Sequence, residues 1–335
     1  MIYQNSQNNN KTQCTICPRD CSLSEGQAGF CSVRKNIEGK IELTTYGYNT
    51  GLAVDPIEKK PLYQFLPGSK VLSFGTTGCN LGCKFCQNWQ SSRSKIDPAS
   101  LNPSSPVEIA DLAKHLGCES VAFTYNDPVV FFEYAIDTAI ECHKQGIKTI
   151  AVTSGYINPE PRKEFFSHMN AANIDLKAFS ERFYQKNSLI HLAPILDTIK
   201  YVVNNTNCWV ELTTMLIEGE NDSTEELKAE CKWIKDNIGV DIPIHFSAFH
   251  PAYKFLNQQP TKLSTLLKAY KIAKEVGLNY VYTGNIANEE TEATYCPNCG
   301  AKVITRMGYN LINHDIYTNG HCKFCDFKCA GVFES

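Results

Sequence analysis

The chain has no polybasic run. Its densest basic stretch is Glu58-Lys59-Lys60, and 32 lysines and arginines stand against 35 acidic residues for a formal charge of −3. That balance marks neither a nucleic-acid nor a membrane-surface partner. No segment approaches the ~20 apolar residues that a membrane span needs. Residues 1–13 are polar where a signal peptide would carry an apolar core, so a cytoplasmic location is expected. In a reducing compartment, 16 cysteines argue against a disulfide scaffold and for metal. Wholesale disorder is excluded as well. With 43% apolar and 20% charged residues, the chain can bury a sizeable core.

What is present is clustered. Twelve of the cysteines form three groups: Cys14, Cys17, Cys21 and Cys31; Cys79, Cys83 and Cys86; and Cys296, Cys299, Cys322, Cys325 and Cys329. Cys118, Cys142, Cys208 and Cys231 stand singly in helix- or strand-like stretches and read as small buried hydrophobes. The middle group organises the rest. A structural zinc site takes four protein ligands, whereas Cys79-x3-Cys83-x2-Cys86 offers three thiolates on one short loop. Three suit a cubane iron–sulfur cluster with one iron left open. The alternative is half of a zinc site completed elsewhere. The first group has the reverse spacing, x2 then x3, with Gly26 and Gly29 for tight turns. It reads as a metal knuckle for zinc or a second iron–sulfur cluster, or as a metal-free loop. In the last group, Cys296-Pro-Asn-Cys299 and Cys322-Lys-Phe-Cys325 are two C-x2-C knuckles of a closed zinc ribbon, with Cys329 and His314 as spare ligands. Thr318 stands where a first cysteine would be needed for a second three-cysteine loop.

From residue 46 onward, short β-branched and aromatic runs alternate with longer stretches of helical periodicity. Strands are expected at 71–75, 121–126, 148–154, 173–179, 209–216, 244–249 and 280–284. Helices are expected near 106–116, 129–145, 159–169, 193–204, 223–237 and 263–275. Pro106 and Pro159 fit first helical positions, and Ser223-Thr-Glu-Glu226 reads as a capping box. Such alternation implies a parallel sheet with helices outside, a partial TIM-type α/β barrel, with a doubly wound sheet as the other architecture. Within the strands, Thr124, Asn126, Asp175, Lys177, Glu211, Thr213, His245 and Ser247 share the face opposite the apolar residues. They are expected to point into the lumen and line a polar cavity; the plainer alternative is mutual salt bridging, Asp175 with Lys177 for example. The long connection 76–105, which carries the three cysteines, follows the first strand at the end where such folds bind ligands.

With Phe85 just before its third cysteine, the loop resembles the signature of radical S-adenosylmethionine (SAM) enzymes. Further runs are Thr124-Tyr-Asn-Asp-Pro128, Asn173-Ile-Asp-Leu-Lys177, Gly219-Glu-Asn-Asp222, His245-Phe-Ser-Ala-Phe-His-Pro251 and Tyr282-Thr-Gly-Asn285. With both terminal cysteine groups, they resemble the AmmeMemoRadiSam-system radical SAM enzyme, a relative of pyruvate formate-lyase activating enzymes. The resemblance implies a (β/α)6 partial barrel over 66–290, preceded by a disordered tail (1–13) and a cysteine-rich metal-binding segment (14–65). A zinc-ribbon-like segment (291–335) follows. It also implies an oxidoreductase with a [4Fe-4S] cluster on Cys79, Cys83 and Cys86 and SAM on the open iron. SAM contacts are expected from Phe85, Thr124, Asn126, Asp127, Thr153, Ser154, Asp175 and Lys177. Glu211, His245, Ser247 and His250 are left for the substrate side. Asp127 stands where the family has Glu, and Ser154 where it has Asn. A flavodoxin- or ferredoxin-like electron donor and partner proteins of that system follow as expected partners.

Two alternatives accompany this reading. One is activation of a glycyl-radical enzyme, although the ferredoxin-like C-x2-C-x2-C insert common in such activases is missing. The other is an adaptor holding iron–sulfur and zinc groups and binding RNA or protein.

Overall fold

The computed structural model describes residues 3–7, 11–93 and 102–334. Three short antiparallel strands open the chain: β1 (Gln4–Gln7), β2 (Lys11–Cys14) and β3 (Ser22–Ser24). A hairpin of β4 (Arg34–Ile37) and β5 (Lys40–Leu43) follows. The described part of the expected disordered tail is therefore paired strand. Tyr3 anchors it by donating its hydroxyl to Glu164 at 2.5 Å, and Thr12 and Cys14 are buried.

The centre is an eight-stranded sheet. Its edge strand β7 (Leu52–Pro56) follows the two-residue β6 (Tyr48–Asn49) and runs antiparallel to β8 (Lys70–Phe74). After β9 (Asn102–Pro103) come β10 (Ser120–Phe123), β11 (Lys148–Thr153), β12 (Ala171–Asp175), β13 (Trp209–Leu216), β14 (Ile244–Ala248) and β15 (Val281–Gly284). From β8 to β15 every pairing is parallel and sequential. All seven strands expected from the sequence are present and parallel, one more than a (β/α)6 unit counts, and β7 and β15 are the two edges.

Helices α2 (Pro106–His115), α3 (Phe132–Lys144), α4 (Pro159–Ser167), α6 (Ala193–Asn205), α7 (Thr224–Ile238) and α8 (Leu263–Val276) connect these strands; α1 (Trp89–Ser92) and α5 (Glu181–Phe183) are single turns. Pro106 and Pro159 occupy first positions. Ser223 accepts from Glu226 N, but the Glu226 carboxylate turns away and accepts from Phe179 N at 2.8 Å. The expected reciprocal box is therefore half formed, because an unpaired loop N–H competes for the carboxylate. A full box forms instead between Ser105 and Glu108.

Strand β12 begins and ends earlier than expected. Ala171 and Ala172 are buried and pair with Trp209 and Val210. A tight turn, Leu176 N to Ile174 O at 3.1 Å, then takes the chain out of the ladder before Lys177.

One side of the lumen floor is apolar. Val71, Ala122, Ile150 and Ala171, at the starts of their strands, pack on Ile57, Leu62, Phe65 and Leu66. The tail reinforces this plug. Its sheet, β16 (Thr294–Tyr295), β17 (Lys302–Met307) and β18 (Asn310–His314), follows the single turn α9 (Glu289–Glu292). Fully buried Arg306 donates to Tyr63 O at 2.6 Å, and Val332 exchanges backbone bonds with Gln64 and Leu66. Among the described residues no helix is long and apolar enough to cross a membrane.

Candidate active site

The open end of the lumen holds a cavity of about 230 Å³. The ends of six parallel strands and their outgoing loops form its wall, through Asn126 and Asp127, Thr153 and Ser154, Asp175 and Lys177, Thr213 and Met215, Ser247, and Asn285. Cys79, Cys83, Phe85 and Cys86 supply the opposite side. Pleating decides which side chains arrive there. Asp175 is in register with Thr213, which is in register with His245.

The three-cysteine loop is held from several sides. Asn126 accepts from Thr76 N at 3.0 Å and donates to Thr76 Oγ1 (3.1 Å), Thr77 O (3.3 Å) and Gly78 O (2.7 Å). Gly75 must stay glycine, because a Cβ there would lie 2.2 Å from Thr124 O. On the far side, Gly82 N and Lys84 N donate to Ser188 O (2.7 Å) and Asn187 O (2.9 Å). Those acceptors belong to a π-helical turn, Tyr184–Ser188. Lys254 N donates to Lys84 O at 2.9 Å, and Phe85 packs between Phe183 and Phe255.

The thiols have polar neighbours. Cys79 Sγ accepts from Leu81 N at 3.5 Å, Cys83 Sγ donates to Ser188 Oγ at 3.5 Å, and Cys86 Sγ lies 3.3 Å from Ser92 Oγ. Burial, with Asp127 nearby, pushes the Cys79 thiol up to about 12. Burial also raises Cys83, against the pull of Lys177. Thiolates in so dry a pocket need cationic partners, and a bound metal supplies the strongest.

Asp127 is saturated by the protein. Oδ1 accepts from Thr153 Oγ1 (2.8 Å) and Val129 N (3.2 Å), and Oδ2 accepts from Ser154 N (2.9 Å) and Ser154 Oγ (2.5 Å). It clamps the end of β11 to that of β10. Lys177 pairs with Asp175 at 2.7 Å. Burial opposes the lysine's charge, but Asp175 and Cys83 outweigh it and raise its pKa above the ordinary value. The pair therefore satisfies itself and lines the cavity at once.

Other expected residues lie elsewhere. Thr124 is buried beside Gly75 and does not line the cavity. Glu211, two residues upstream of Thr213 on the same face, sits deeper, in the plug. It accepts from Tyr63 N (2.9 Å), Gln64 N (2.8 Å) and Trp209 Nε1 (3.1 Å), and His245 Nε2 is 2.6 Å away. His245 packs against Tyr63 and Tyr282 and faces a second cavity, of about 260 Å³, that shares Ser247 and Asn285 with the first. His250 is exposed and lines neither.

The sequence reading missed Ser92, Ser188, Met215 and Asn285 at this site. Ser188 is 105 positions from its thiol, a separation that leaves no local signal. Asn285 closes one of the runs carrying the resemblance; its side-chain Nδ2 donates to Ala248 O at 3.1 Å, and the residue lines both cavities.

In the tail, Cys296, Cys299, Cys322 and Cys325 bring their sulfurs within 4.8 Å of one another, with Cys296–Cys325 at 3.6 Å and Cys299–Cys322 at 4.0 Å. Tetrahedral Zn–S geometry gives edges of ~3.8 Å. This is a group able to bind a metal. Among the described residues it is the only set of three or more ligands gathered so closely. Cys79, Cys83 and Cys86 are therefore spread more widely than one ion requires, although they face one cavity. Three thiols lining one cavity suit ligands to different corners of a cluster.

A parallel α/β sheet with three such cysteines at its C-terminal mouth defines a class, and comparison with known proteins agrees. Residues 74–231 match the model of the radical SAM superfamily. Those residues form a radical SAM domain, the unit that defines this superfamily of enzymes. It is 40% identical over 330 residues to an uncharacterized protein of Methanocaldococcus jannaschii, covering 98% of this chain and 97% of the relative. It is 23% identical over 175 residues to the 4-hydroxyphenylacetate decarboxylase activating enzyme of Clostridioides difficile strain 630, covering 49% of this chain and 55% of that enzyme. Among solved structures, Streptococcus suis SuiB bound to S-adenosylmethionine aligns with a TM-score of 0.52 at 15% identity, over 68% of this chain and 53% of that one. A radical SAM domain implies a [4Fe-4S] cluster and SAM, and the donor set, burial and spacing of the three loop thiols fit such a cluster.

Proposed function

We propose that the chain is a radical SAM enzyme in which Cys79, Cys83 and Cys86 hold the [4Fe-4S] cluster and the 230 Å³ cavity holds SAM. The observation that carries this reading is the convergence of three cysteines and six strand ends on one cavity. A cluster bound there supplies one electron to the SAM sulfonium, giving methionine and a 5′-deoxyadenosyl radical that abstracts hydrogen from a substrate. The chain's own groups do the holding. Lys177 and Asp175 present opposite charges for the carboxylate and amino groups of SAM. Asp127 fixes Thr153 and Ser154 in the wall, and Asn126 fixes the cysteine loop. Phe85 gives an apolar surface near the adenine.

The second cavity, with His245 and Ser247 in its wall, is assigned to the substrate, and the plug beneath keeps both spaces dry. The tail thiols are assigned to structural zinc. Membership of the AmmeMemoRadiSam system, with its partner proteins and a flavodoxin- or ferredoxin-like donor, is the finer assignment, supported by the motif runs. Activation of a glycyl-radical enzyme is the second reading, favoured by the activating-enzyme relative.

The test is spectroscopic. Anaerobically reconstituted, reduced protein should show an EPR signal that SAM perturbs. The Cys79→Ala/Cys83→Ala/Cys86→Ala variant should lack the SAM-sensitive component. A wild-type signal indifferent to SAM would remove this assignment and favour the adaptor.

A further inference from the structure

The N-terminal cysteines lie outside the proposed catalytic cavity, yet the fold gathers all four. Cys14 ends β2, Cys17 and Cys21 lie on the turn into β3, and Cys31 precedes β4. Cys14 N donates to Cys21 O at 3.0 Å, and Asp20 takes a positive φ of 43° inside the turn. Ser32 N donates back to Gly29 O at 2.9 Å, and Ser32 has φ 68°. Gly29 lies beside Cys21, whose Sγ is 3.6 Å from where a Cβ would stand. All four cysteines line one small cavity, walled by Ile16, Val129 and Val130 and by Arg19 and Arg34.

Three observations say what the cavity takes. First, the tail thiols close to single-ion spacing, whereas no three of these four do. The four residues line one small cavity instead, a more open arrangement than a single zinc ion takes. Second, Arg34 is 3% exposed and its Nε–H has no hydrogen-bond acceptor among the described residues. Both of its terminal nitrogens are engaged by Glu133, at 3.0 and 2.5 Å. A buried guanidinium N–H without an acceptor is costly, and a cluster sulfide or thiolate would satisfy it. Third, two arginines facing four thiols suit an anionic group, such as an iron–sulfur core carrying four thiolates.

We propose that Cys14, Cys17, Cys21 and Cys31 bind a second iron–sulfur cluster of the [4Fe-4S] type, with all four irons ligated by the protein. Its position gives it a use. A Cβ on Gly78 would lie 2.2 Å from Cys31 O, so the chain segments carrying Cys31 and Cys79 touch. Arg19 crosses the same wall, donating to Asn80 O at 2.5 Å and to Leu189 O at 2.6 Å. Cys17 and Cys21 are the partly exposed members of the four, whereas Cys14 and Cys31 are buried. The second cluster accepts one electron on the side of Cys17 and Cys21 from a ferredoxin- or flavodoxin-class donor and passes one electron inward, with no bond made or broken. This role, unlike the site itself, rests on the function proposed above.

The experiment separates the two. The full chain carrying Cys79→Ala, Cys83→Ala and Cys86→Ala is purified anaerobically and reconstituted with iron and sulfide. It should retain about four iron and four sulfide per chain and a reducible EPR signal that SAM leaves unchanged. Loss of all iron, or one zinc in its place beyond the tail zinc, would overturn the proposal. In the complementary Cys17→Ala/Cys21→Ala variant, iron should fall by about half from the wild-type value. Dithionite should still produce the SAM-sensitive signal, while reduction by a protein donor should slow at least tenfold. If that variant fails to fold, the triple variant alone decides the site. Full iron in a folded Cys17→Ala/Cys21→Ala protein would refute it, and undiminished protein-donor reduction in that variant would refute the electron-entry role.

Discussion

Asn126→Ala should release the cysteine loop while leaving the sheet intact. The Asn126 carboxamide is buried and gives every described hydrogen bond to residues 76–78, the segment leading into Cys79. Alanine removes three well-formed bonds worth about 1 kcal/mol each and leaves Thr76 N–H buried without an acceptor, at about 1–3 kcal/mol more. The sum, about 4–6 kcal/mol, falls on one loop whose other anchors, on Ser188 and Asn187, remain. Differential scanning calorimetry should show a midpoint lowered by about 5–10 °C. Reconstituted iron should drop by the share of the catalytic-site cluster. Asn126→Asp should do no better, since it keeps the acceptor for Thr76 but turns a carboxylate toward Thr77 O and Gly78 O. An Asn126→Ala protein with wild-type iron and a midpoint within about a degree of wild type would refute this. The carboxamide would then be free to serve SAM.

Asp127→Ala should behave oppositely. Iron should be unchanged, while SAM affinity, measured by isothermal titration, should fall about tenfold or more as Thr153 and Ser154 lose their clamp; unchanged affinity would remove Asp127 from the site. Glu230 gives a pH signature. Burial pushes its carboxyl up to about 8, against a hydrogen bond donated by Thr214. The folded state therefore binds the proton more tightly than the unfolded state. That contribution is fully present below about pH 4.5 and is lost as pH rises toward 8, on the order of a few kcal/mol. Urea unfolding from pH 5 to 8 should show this decline, and Glu230→Gln should flatten it. In the tail, Cys322→Ser should lose about one zinc per chain and lower the unfolding midpoint, because β17 carries Arg306 into the lumen plug. Wild-type protein without zinc would contradict that assignment.

What the sequence conveyed and what it hid follow from the range of the interactions. Hydrophobic period and the prolines at 106 and 159 located the helices because those signals act within a turn or two. Cys79, Cys83 and Cys86 were legible as one group because they sit on one short loop, and they line one cavity. The early end of β12 was not, since it depends on Ala171 and Ala172 fitting beside β13, a tertiary matter. Face alternation correctly grouped Asp175, Thr213 and Ser247 but could not grade depth. Glu211 shares their face yet is bound by Tyr63 and Gln64, nearly 150 positions upstream. Ser223 capped its helix as its type predicts, while Glu226 went to Phe179 because a distant N–H needed it. Wherever a polar side chain had a choice of partners, the local pattern stopped deciding.

The most direct test of the account is product analysis of the reduced, reconstituted protein incubated with SAM. The wild-type protein should release 5′-deoxyadenosine and methionine in equal amounts, and the Cys79→Ala/Cys83→Ala/Cys86→Ala variant should release neither. A protein that carries the loop cluster, accepts electrons and releases no 5′-deoxyadenosine would contradict it.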